Sequence, residues 1–232
     1  TISNTFTTTI TSSTTISNSL TVTGSIGSST SVTTTVNGSI SGGGTINYTG
    51  TSTFKQRVAV NQNFGATSGA TAWNFVNLTF SNSSGSSRTI TTQTGGTGAI
   101  NVSGDLTLGE GGDGASTVLD AGNRTWTLSG TDGTPTAVNA SSTLTGNTST
   151  FVFTGNNGSG DTTISALTFT NLTLNASETF NAGGTITANG DLTVTTGTFA
   201  LGTNNITVGS TTAGSGDVSI SGSITQSASG TF

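Results

Sequence analysis

The sequence predicts an all-β protein: a parallel β-helix, or β-solenoid, drawn out as a single elongated domain. Three observations lead there. Every large apolar residue from Ile2 to Phe64 sits on an even-numbered position, sixteen of sixteen: Ile2, Phe6, Ile10, Ile16, Leu20, Val22, Ile26, Val32, Val36, Ile40, Ile46, Tyr48, Phe54, Val58, Val60 and Phe64. Successive side chains of an extended chain point to opposite faces, so this parity buries one face only. Between those positions lie Thr, Ser, Asn and Gly, and threonine is the commonest residue. Its branched Cβ is stiff and suits a pleated surface. Finally, only 29% of residues are hydrophobic, against about 45–50% in average soluble domains. That fits a slim bore filled by one side chain at a time. The alternative is a β-sandwich or jelly roll with an extended N-terminal strand, which needs a thicker core and strands at regular spacing.

Residues 1–23 contain no Gly or Pro, and Ile2, Phe6, Ile10, Ile16, Leu20 and Val22 share one face. Without turn formers the stretch is expected to run extended, as an arm laid across a neighbouring subunit. Its alternative is a first rung or two, cornering at Ser12–Ser13 or Asn18. Ile2, Phe6, Ile10 and Ile16, with Phe232 at the other end, are the candidate subunit interface.

Short Thr-apolar-Thr runs then alternate with Gly and Asn, which tolerate the backbone of tight corners. Landmarks recur in one order. Thr53-Phe54, Asn77-Leu78-Thr79 and Gly104-Asp105-Leu106-Thr107 are echoed by Thr150-Phe151, Asn171-Leu172-Thr173 and Gly190-Asp191-Leu192-Thr193. Residues 1–53 read as a partial module, followed by modules 54–150 and 151–232. No helical 3.6-residue period occurs anywhere.

The chemistry-bearing residues are few. There is no Cys, His or Met, and the charged residues are nine acids and four bases, for a net charge of −5. Lys55, Arg57, Arg88 and Arg124 are too few for a nucleic-acid stripe. No apolar run is long enough to span a membrane as a helix. The acids sit mostly in Gly-rich turns, where Asp caps backbone amides. No paired carboxylates suggest catalysis, no glycine pattern suggests a cofactor, and no enzyme activity is expected. The densest acidic loop, Glu110 and Asp113 with Asp120 following, is the candidate Ca²⁺ site. Among the Asn-x-Ser/Thr sequons, Asn37, Asn47, Asn82, Asn147 and Asn157 are the candidate glycosylation positions.

The runs Asn171-Leu172-Thr173-Leu174, Gly190-Asp191-Leu192-Thr193-Val194 and Asn204-Asn205-Ile206-Thr207-Val208-Gly209 resemble bacterial β-strand-repeat surface proteins. These are autotransporter-passenger-like chains that fold as right-handed β-helices. The resemblance covers residues 75–232 and implies an exported, non-enzymatic surface or matrix role. The expectation is a structural subunit of an extracellular filament or surface layer that polymerises with itself by end-to-end stacking or strand exchange. The competing expectation is an adhesin or stalk fragment of a larger repetitive protein that binds glycans or cell-surface material.

Overall fold

The structure is a computed structural model. It describes the backbone of residues 2–4, and residues 7–131, 133–138, 142–146, 148–156, 161–209 and 216–227 in full. The described residues form strands and turns with no helix. The chain winds over three faces in turn. Ile2–Asn4, Thr7–Thr9 and Thr14–Ile16 make one coil, and Leu20–Val22, Ser25–Ser28 and Thr33–Val36 make the next. Each strand pairs in parallel with its counterpart one coil on. The first face stacks seven strands and the third six, while the second continues through ten to Val218–Ile220. A further sheet of Thr168–Phe169, Ile186–Ala188 and Ile206–Val208 completes the upper part. The parallel pairing throughout is that of a solenoid and excludes the antiparallel sandwich or jelly roll.

Residues 2–22 are not an outstretched arm. Their described strands form the first coil and begin the second, with Ile2 opposite Leu20 and Ile16 opposite Val36. The chain bends at Ser12 and at Ser17–Asn18, the corners of the alternative reading. Glycine is unnecessary there because serine side chains serve the corners: Ser13 Oγ accepts the Thr33 amide (3.1 Å) and Ser19 Oγ the Ser39 amide (3.2 Å).

This device recurs along the coil. Asn61 Oδ1 accepts the Thr89 amide (3.0 Å), Asn77 Oδ1 the Asp105 amide (3.0 Å) and Asn171 Oδ1 the Asp191 amide (2.9 Å). Each side chain satisfies a corner N–H one coil further on, which the strand ladder cannot reach. It also explains two glycines: a Cβ at Gly104 or Gly190 would lie 2.4 Å from the Oδ1 of Asn77 or Asn171. The repeated landmarks are thus stacked neighbours. Phe54, Leu78 and Leu106 lie in register on the third face, and Phe151, Leu172 and Leu192 on the second.

From Asn171 the second and third faces are served by single long strands. Asn171–Ala182 runs along both Thr150–Phe153 and Thr162–Ile164, and Leu192–Ala200 follows it, with register shifts around Asn175. Gly197 makes the bend at φ +77°, where a Cβ would lie 2.3 Å from the Ala176 carbonyl oxygen.

Parity becomes interior. Leu20, Val22, Val36, Ile40, Ile46, Phe54, Val58 and Phe64 are fully buried. Each large apolar side chain so placed contributes about 1.5–3 kcal/mol. Val60 breaks the rule, 56% exposed in the bend that follows Thr53–Val58. Through the middle coils the bore is aromatic. Rings touch from Tyr48 and Phe54 through Phe75, Phe64, Trp126, Phe151, Phe169 and Phe153 to Phe180, with neighbouring centroids 5.2–6.4 Å apart.

Candidate functional site

The acidic loop does not assemble a cation site. Glu110 forms an ion pair with Lys55, with Oε1 2.6 Å from Nζ. Asp113 Oδ2 accepts the amides of Glu110 (2.8 Å) and Asn82 (3.1 Å). Asp120 belongs to Thr117–Asp120 on the first face, and its Oδ1 accepts the Gly122 amide (3.0 Å). Among the described residues no three metal-ligating side chains gather. Loop carboxylates are cheap caps for loop amides, and that is how Asp113 and Asp120 are used.

Asn82 is fully buried. Its Nδ2 donates to the carbonyls of Ser86 (2.8 Å) and Ser116 (3.0 Å), and its Oδ1 accepts the Ser84 amide (2.8 Å). It is a structural peg, and a glycan on it would require the corner to open. Asn37 is half-buried and Asn47 exposed. Asn47 is in register with Asn74, whose Oδ1 accepts from Asn101 Nδ2 (2.8 Å), so amides stack on the outside of the second face. Asn147 and Asn157 lie outside the described residues.

The proposed interface residues divide likewise. Ile16 is core and Ile10 packs against it, so both serve their own chain. Only the backbone of Ile2 is described, and Phe6 and Phe232 lie outside the described residues. Parity did not single out the apolar residues that the coil leaves open at its other end. Val218 and Ile220 are 42% and 47% exposed. They pair with Leu192 and Val194 and so occupy inward positions, on a strand of the last described coil.

The four basic residues separate into one inside and three outside. Arg124 is buried, and its guanidinium donates to the carbonyls of Gln93 (Nε 3.0 Å, Nη2 2.7 Å), Gly98 (Nη1 2.9 Å) and Ala66 (Nη2 2.5 Å). Lys55 and Arg57 project from the third face on Thr53–Val58, two residues apart and therefore on the same side. Arg88 reaches the same corner, where its Nε donates to the Ala59 carbonyl (2.8 Å). Arg57 is exposed and has neither a hydrogen bond nor an ion pair among the described residues. Directly opposite it one coil on is Ser81, fully buried, with an Oγ that has no hydrogen-bond partner. Lys55 lies in a file with Thr35 on one side and Thr79 and Thr107 on the other.

Elsewhere the outside carries no base, and its exposed charges are acidic, Asp161, Asp191 and Asp217 among them. A shallow hollow of about 340 Å³ on the second face is lined by Thr7, Thr9, Ser25, Gly27, Thr45 and Asn47 among others, with no charged or aromatic side chain. No described helix is long and apolar enough to cross a membrane. The coil and its surfaces define a class, a parallel β-solenoid with a hydroxyl- and amide-coated exterior. Comparison with known proteins adds no family to that class: no family model, curated protein or solved structure matches the chain.

Proposed function

We propose that this chain is a structural subunit of an extracellular filament or surface layer that assembles with itself by end-to-end stacking. The observation that supports the reading is an apolar rung on the last described coil: Val218 and Ile220 occupy bore positions, yet are 42% and 47% exposed. A further coil of the same three-sided section, from the chain's own continuation or from a second copy, is the natural cover, because parallel strands added there continue the ladders with unchanged polarity, and the reading takes the second copy. The exterior, poor in charge with only 6% charged residues in the chain, supports a setting outside the cell, where lateral packing is tolerated and charge-based solubility matters less. No catalytic role is proposed. Strand exchange through residues 1–23 loses its support, since the described strands of that segment pair within their own chain.

Light scattering and electron microscopy across a concentration series test the reading. Filaments or concentration-dependent oligomers are expected, and Val218→Lys with Ile220→Lys is expected to abolish them. A wild-type chain that remains monomeric at millimolar concentration overturns it. A second reading, an adhesin or stalk of a larger repetitive protein, is favoured by the basic corner at Lys55, Arg57 and Arg88.

A further inference from the structure

We propose that the Lys55–Arg57–Arg88 corner binds the carboxylate groups of an acidic polysaccharide, a polyuronate. The inference deepens the adhesin reading and is independent of end-to-end assembly.

The chain carries nine acids and four bases, yet three of the bases converge on one corner. Two of those three have no carboxylate partner: Arg57 has none among the described residues, and Arg88 is held through backbone carbonyls alone. The exposed Arg57 and the half-buried Arg88 offer the planar, forked donors that match a carboxylate.

One further observation points to a ligand. The corner already holds a carboxylate, because Glu110 sits 2.6 Å from Lys55 Nζ at the tip of the Gly109–Gly114 loop. An internal carboxylate there shows that the position accepts the group, and it is a built-in competitor. Beside Arg57, Ser81 faces the same side of the sheet but is fully buried, so its hydroxyl stays out of a ligand's reach. Thr35 and Thr107, in the file of Lys55, supply partly exposed hydroxyls suited to a sugar chain. Successive uronate units along the corner would meet Arg88, Arg57 and then Lys55, which exchanges Glu110 for the ligand.

The test is retention of the intact chain on immobilised polygalacturonate, on neutral dextran and on a sulfated dextran of equal charge density, at low and at 0.5 M salt as an order-of-magnitude contrast. Polygalacturonate is expected to bind best, with binding lost at high salt. The double variant Arg57→Gln, Arg88→Gln is expected to weaken binding at least about tenfold, and Arg57→Gln alone to weaken it several-fold with an unchanged melting temperature, since Arg57 is exposed and its side chain bonds nothing among the described residues, whereas Arg88 holds the Ala59 carbonyl. Glu110→Gln is expected to strengthen binding several-fold by freeing Lys55, a gain that a purely structural ion pair would not produce. Equal retention on dextran, tighter binding to the sulfated polymer, or indifference to the double arginine variant each overturns the proposal. None of these results bears on whether the coils stack, which is read separately from particle length.

Discussion

Tyr48 is the sole tyrosine of the chain, and its hydroxyl donates to Thr34 Oγ1 inside the bore at 2.8 Å. Burial pushes its pKa up to about 12, although the bond to Thr34 pulls the other way. The unfolded value is near 10. The folded state therefore favours the neutral phenol, and this contribution is intact below pH 10 and lost as pH rises through 12. Two units correspond to about 3 kcal/mol. Phenolate absorbance is expected to titrate near pH 12 in the folded chain and near 10 in denaturant, and Tyr48→Phe should remove that part of the alkaline unfolding. Arg124 is the other residue whose role is set by the bore. Its guanidinium gathers carbonyls from Ala66, Gln93 and Gly98 without a carboxylate. Arg124→Met would leave those carbonyls unpaired and should cost about 2–4 kcal/mol, read as a lower denaturation midpoint at unchanged slope.

At the scale of the element, the unit that matters is the corner step rather than the strand. Asn171 hands its Oδ1 to the Asp191 amide, and Asp191 in turn hands its Oδ1 to the Asp217 amide (3.0 Å). Asn171→Ala is expected to cost about 0.5–1.5 kcal/mol, since the Asp191 amide it leaves lies at an exposed corner that water can reach. Gly190→Ala should be as damaging, because its Cβ would collide with the same Oδ1. A double-mutant cycle checks that both act through one step: the combined loss should fall well short of the sum, since removing the Asn171 amide makes room for the methyl. These steps were half legible. The recurrence of Asn-Leu-Thr before Gly-Asp-Leu-Thr marked the positions, but not that successive landmarks are stacked partners. The serine corners at Ser13 and Ser19 were not legible, because serine is abundant throughout and the amides they serve are 20 residues on.

For the whole molecule, strand pairing joins adjacent coils while single contacts such as Lys55–Glu110 and Arg124–Ala66 reach one coil further, so local stability largely follows local core content. The aromatic run from Tyr48 to Phe180 fills the middle coils, whereas the coils of Leu20, Val22, Ile26 and Val36 are aliphatic. Amide hydrogen exchange is expected to be slowest for strands between Thr53–Val58 and Thr150–Phe153, and to quicken toward Thr7–Thr9 and Val218–Ile220. Uniform protection along the chain would contradict this, as would fastest exchange at Trp73–Phe75.

The sequence by itself determined that the chain is β-structure, which residues fill the bore and that corners are cheap, because a period of two and the chemistry of Gly, Asn and Thr are local properties. Only the tertiary structure decided what meets what. Lys55 finds Glu110 55 residues away and Arg124 finds Ala66 58 residues away. Asn82 is a peg rather than a surface sequon, and Val218 and Ile220 are left half open. The reason is geometric: coil lengths vary from corner to corner, and register between coils is set by the sum of those lengths, so residues near in space share no constant interval in sequence.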